Sequence, residues 1–67
     1  MDLNLLKYHI KHSGDSISEL AIVLDINSKT LYNKLNGKAD FSRKEIQIII
    51  SRYKLQPEII MKIFFDF

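Results

Sequence analysis

The sequence predicts an all-α domain of five helices, and three observations predict it. Apolar residues recur at i, i+3, i+4 and i+7 in successive segments of the 67-residue chain, which places them on one face of a helix. Ser16 with Glu19, and Ser42 with Glu45, each stand just ahead of such a set. That is the spacing of a capping box, in which a hydroxyl and a carboxylate satisfy orphan backbone N–H groups at a helix start. The composition, 46% apolar with one proline and two glycines, suits a compact helical domain rather than a disordered chain.

Residues 3–13 form the first predicted helix, with Leu3, Leu6 and Ile10 on one stripe and Leu5 and Tyr8 beside it. Lys11 and His12 fall in its last turn, where cations suit the negative end of the helix dipole, and Gly14 can take the left-handed position that ends it. The second helix, about 16–24, buries Ile17, Leu20, Ala21 and Leu24 and leaves Ser18 and Glu19 wet. At Asp25-Ile26-Asn27-Ser28 the pattern breaks, because residues that tolerate left-handed backbone and good N-cap residues crowd together.

The third helix, about 28–36, has only Leu31 and Leu35 to bury. At about 100° per residue, Lys29 and Asn33 then point away from the core, with Tyr32 and Asn36 on one flank and Thr30 and Lys34 on the other. A helix on so narrow a footing reads as one held up for contact. Asn36-Gly37 ends it, and the loop 38–41 carries Phe41 as an apolar anchor. The fourth helix, 42–53, is set by Ile46, Ile49, Ile50 and Tyr53; its β-branched run 48–50 is strand-like, but the caps and the helical period outweigh it. Pro57 suits the first position of a fifth helix, carried by Ile59, Ile60, Ile63 and Phe64.

The length allows one domain, 1–67, near the lower size limit for folding on a hydrophobic core alone. There is no cysteine, hence no disulfide and no thiolate zinc site. His9 and His12 stand three apart, but nothing supplies a third ligand beside them, so they are read as surface or helix-end residues and no metal or cofactor is expected. No apolar run approaches the roughly 20 residues that span a bilayer. Met1-Asp2-Leu3-Asn4 lacks the basic start of a secretory signal, so a cytoplasmic protein is expected. The formal charge is only +2, yet it is uneven: residues 1–25 carry −2, residues 26–44 carry +4 and residues 45–67 balance. Five cations alone are compatible with a solvated basic face as much as with a polyanion site.

At Leu20-Ala21, Leu24, Ile26, Leu31 and Asn36-Gly37-Lys38 the chain resembles the Cro and phage-repressor (lambda-repressor-like, XRE-type) helix-turn-helix family. The spacing from Leu20-Ala21 to Asn36-Gly37 fits that motif without insertion. Lys34-Leu35-Asn36-Gly37-Lys38, then Phe41-Ser42 with Glu45-Ile46, then Ile63-Phe64-Phe65, is similar to small phage-encoded Cro-like regulators. There are two departures. Many relatives carry Gly in the turn where this chain has Asp25, which can adopt the left-handed conformation at a cost of about 1 kcal/mol. Ile17 stands where relatives commonly place a polar residue, so no phosphate contact is expected from it.

The resemblance implies a five-helix domain that inserts its third helix into the major groove of double-stranded DNA while the second lies across the backbone. Ser28, Lys29, Tyr32 and Asn33 would reach base edges, Lys29 suiting guanine acceptors and Asn33 pairing bidentately with adenine. Asn27, Asn36, Lys38, Arg43 and Lys44 would hold phosphates, with Lys34 a weaker candidate on the far flank. So few contacts suit a homodimer on a pseudo-palindromic operator, repressing a phage or mobile-element promoter in a bacterial host. The apolar end of the chain, with Met61, Phe64, Phe65 and Phe67, supplies candidate dimer contacts, the alternative being that it fills the core against the first helix. The alternative is a protein-interaction module, an antitoxin or anti-repressor that captures another regulator through the same apolar surface. An enzyme is the poorest option, since no nucleophile and base and no Gly-rich phosphate loop stand at a family spacing.

Overall fold

Four of the five helices described start on a side-chain oxygen that answers an unpaired N–H of the first turn. The computed structural model describes residues 1–65. It contains α1 (Leu3–His12), α2 (Ile17–Leu24), α3 (Ser28–Leu35), α4 (Arg43–Tyr53) and α5 (Pro57–Phe64), with no strand among the described residues. Asp2 Oδ1 accepts from the Leu5 N–H at 3.0 Å and starts α1. Both capping boxes close: Ser16 with Glu19 at 3.1 Å in each direction, and Ser42 with Glu45 at 3.2 and 2.7 Å. Gln56 offers α5 no side-chain cap; Pro57 at the first position, having no N–H to satisfy, takes its place.

Helix ends use left-handed backbone. Asp25 (φ 59°) closes α2, its N–H bonding Ile22 O while the Ile26 N–H reaches back to Ala21 O at 3.0 Å. Gly37 (φ 79°) closes α3 in the same way, with Lys38 N–H on Asn33 O at 2.9 Å. This is the Schellman pattern, which satisfies otherwise orphaned carbonyls. Lys54 (φ 51°) does this for α4, a position no sequence signal marks.

Every helix contributes to one core: Leu6 and Ile10, Leu20 and Leu24, Leu31 and Leu35, Ile49, then Ile63 and Phe64, with Leu55 from the last linker. α2 packs chiefly on α3, and α1 lies against both α3 and α5. Ile17 is partly buried against this core. Phe64, expected above among the dimer contacts, is instead core: it is 8% exposed and meets the Phe41 ring edge-on at 5.9 Å. A helix stripe of Ile59, Ile60, Ile63 and Phe64 has to face inward as a set, which leaves Met61 and Phe65 outside at 39% and 47% exposure. Phe67 lies outside the described residues.

A forked polar tie joins the start of α2 to the end of α4. Asp15, between α1 and α2, accepts Arg52 Nε and Nη2 at 2.7 and 2.9 Å and the Tyr53 hydroxyl at 2.7 Å. The Arg52 bond, then that of Tyr53, holds the Asp15 carboxyl down at about 2. The same fork pins the C-terminal end of α4 to the start of α2. Among the described residues no helix is long and apolar enough to cross a membrane.

Candidate nucleic-acid interface

α3 stands on two side chains, Leu31 and Leu35, which are 0% and 2% exposed. Both ends of the helix are capped. Asn27 Oδ1 accepts the Thr30 N–H at 2.8 Å and so fixes the first turn. The amide nitrogen of Asn27 is therefore the group left to meet a phosphate, its oxygen being committed. Ser28, Lys29 and Tyr32 are exposed, Tyr32 at 60%, and Asn33 is half-buried beside them. On a helix, positions 29, 32 and 33 are neighbours, with 29 and 33 opposite the two leucines and 32 on the flank beside them. It offers an ammonium, a phenol and a carboxamide, groups that match the donor and acceptor pattern of base edges in a groove.

Lys38, Arg43 and Lys44 are exposed on the loop after α3 and on the first turn of α4. The first turn of α4 has half its donors in use, because Glu45 and Ser42 satisfy each other's N–H groups. The N–H groups of Arg43 and Lys44 are those that can serve an anion there.

Lys34 does not join this surface. Its Nζ lies 2.6 Å from Glu45 Oε1, with the two side chains only 14% and 10% exposed. Burial alone would push the Glu45 carboxyl up, but the bonds from Lys34 and Ser42 outweigh it and the net shift is downward. Glu45 thus stays ionised at neutral pH, and Lys34 cancels an acid charge next to the α4 start. The flank position of Lys34 makes this possible: it faces α4, which a single-helix projection does not show.

Asn36 is also employed differently from expectation. Its Nδ2 donates to Tyr32 O at 3.0 Å and its Oδ1 accepts from Lys7 Nζ at 3.0 Å. The oxygen and one of the two amide N–H groups are engaged, and the Lys7 ammonium joins Asn36 at this corner as a further group that can meet an anion. Lys7 lies 29 residues away on α1; only tertiary packing brings it here, and no local pattern could have found it.

No family model, curated protein or solved structure matches the chain. The site is a helix face bearing Lys29, Tyr32 and Asn33, with Lys7 and Lys38 at its C-terminal corner and Arg43 and Lys44 exposed on the first turn of α4. His9 and His12 lie elsewhere, on α1, where Tyr8 meets the first edge-on at 5.5 Å and stacks on the second at 5.2 Å.

Proposed function

We propose that the chain is a sequence-specific double-stranded DNA-binding regulator of the lambda-repressor-like helix-turn-helix type, a Cro-like repressor that reads the major groove with α3. The observation that carries this is the construction of α3: two buried leucines, a capped start, a Schellman end, and an outer face given over to Lys29, Tyr32 and Asn33. Beyond those two leucines α3 has no partly buried apolar residue packed on the core, and its exposed groups are of the kinds that pair with base edges. The uneven charge supports the same reading, since residues 26–44 hold the excess of cations.

In this reading α2 crosses the backbone as a structural partner, and Lys38, Arg43, Lys44 and the Asn27 amide hold phosphates. A homodimer would bring two α3 helices to half-sites about one helical turn apart. Met61 and Phe65, exposed at the end of α5, are the apolar residues available for that contact. The first test is titration of a random-sequence duplex with the protein at several salt concentrations. The three cations among these contacts predict that, per monomer, log K falls with log salt at a slope of roughly −3; no binding, or binding indifferent to salt, would overturn the reading.

A second reading has its own observation. Ile22 is 78% exposed and Val23 37% exposed on α2, apolar residues that a protein partner could cover. An interaction module of the antitoxin or anti-repressor kind is the reading to which a failed duplex titration would lead.

A further inference from the structure

We infer that Lys7, on α1, is a binding residue for a DNA backbone phosphodiester, seated at the C-terminal corner of α3 by Asn36. The inference rests on the DNA-binding reading above and adds to it a cation from a helix that the reading leaves out. Lys7 Nζ donates to Asn36 Oδ1 at 3.0 Å, and the bond lies at the surface. Asn36 in turn donates its amide nitrogen to Tyr32 O at 3.0 Å. A carboxamide whose nitrogen is fixed on a backbone carbonyl must direct its oxygen elsewhere, and here the oxygen meets the ammonium. The amide therefore acts as a bracket with its orientation set by α3 itself.

What matters is that the bracket is neutral. Lys34 and Arg52 are each paired with a carboxylate, which cancels their charge. Lys7 is held by a group that fixes its position and leaves the charge in place, with two of the ammonium's three donors still to be used. The corner it occupies is the one where Gly37 turns the chain and the Lys38 N–H bonds Asn33 O. Lys7 and Lys38 thus flank the end of the helix that presents Tyr32 and Asn33. An open concavity of about 320 Å³, lined by Lys7, Leu35 and Asn36 together with Asp2 and Asn4, lies at this corner. Asp2 is the acid in that lining, and its Oδ1 accepts the Leu5 N–H at 3.0 Å.

The competing role for Lys7 is purely structural, a cation favoured by the negative end of the α3 dipole. The two roles differ in salt dependence. Lys7→Gln keeps a donor for Asn36 and removes the charge; Lys62→Gln, on the exposed face of α5, serves as the control. We expect Lys7→Gln to lower the salt slope by about one unit and to weaken random and selected duplexes alike by about 5-fold at 0.15 M salt. Asn36→Ala should weaken binding when Lys7 is present and have no further effect on the Lys7→Gln background. If Lys7→Gln matches Lys62→Gln in slope while Lys38→Ala does not, Lys7 only caps α3 and this inference fails with the DNA-binding reading intact. Failure of the wild-type protein to bind duplex would overturn both.

Discussion

At the scale of the residue, side chains of the same type do different things. Asn27 caps α3, Asn33 faces outward and Asn36 brackets Lys7. Asn33→Ala should cost about 1–3 kcal/mol on the preferred sequence and far less on random duplex, because only the former offers it a matched base edge. Equal losses on the two would remove Asn33 from base reading. Lys38→Ala should weaken every duplex roughly alike and lower the salt slope by about one unit. Lys34→Ala belongs to a different class. It leaves the Glu45 carboxylate, 10% exposed in its side chain, without its cation, so the expected result is a loss of about 1–3 kcal/mol in urea unfolding with the salt slope unchanged. Lys54 sits in left-handed backbone at φ 51°, where a side chain other than glycine costs about 1 kcal/mol. Lys54→Gly should raise Tm by about 4 °C or more.

At the scale of the element, the five helices were legible in the sequence because their signals are local. Ser16 with Glu19, Ser42 with Glu45, Pro57 and Gly37 each act within a turn of their own position, and each lies where the chain starts or ends a helix. Asp25 accepts φ 59° where glycine would be easier, as its short polar side chain allows. Phe64 was not legible. Its membership of an apolar stripe is local, but whether that stripe meets α1 or a second molecule depends on packing between distant segments. α3 has the narrowest apolar footing of the five helices, since no partly buried apolar residue packs on the core beside its buried Leu31 and Leu35. Truncating Leu31, fully buried, to alanine should cost about 2–5 kcal/mol. In a domain of this size that loss takes up much of the total stability.

At the scale of the whole molecule, the ties that hold the site together join residues far apart in sequence: Lys7 to Asn36, Lys34 to Glu45, Arg52 and Tyr53 to Asp15. None has a sequence pattern, so the candidate face of α3 could be read in advance while its supports could not. Asp15 also sets an acid limit. Its folded-state value, about 2, lies below the ordinary value near 4. The stability it contributes is thus complete above about pH 4 and is lost as pH falls from there through about 2. Tm measured against pH should fall across that window, and Asp15→Asn should lower Tm at neutral pH and flatten the fall. The central claim, that α3 reads base sequence, is tested most directly by selecting bound duplexes from a random pool with the purified protein, in parallel with Asn33→Ala. The account predicts an enriched inverted repeat with half-sites about one helical turn apart, and a weaker or altered consensus for the variant. A pool that stays unenriched with wild-type protein, or the same consensus from both proteins, would contradict it.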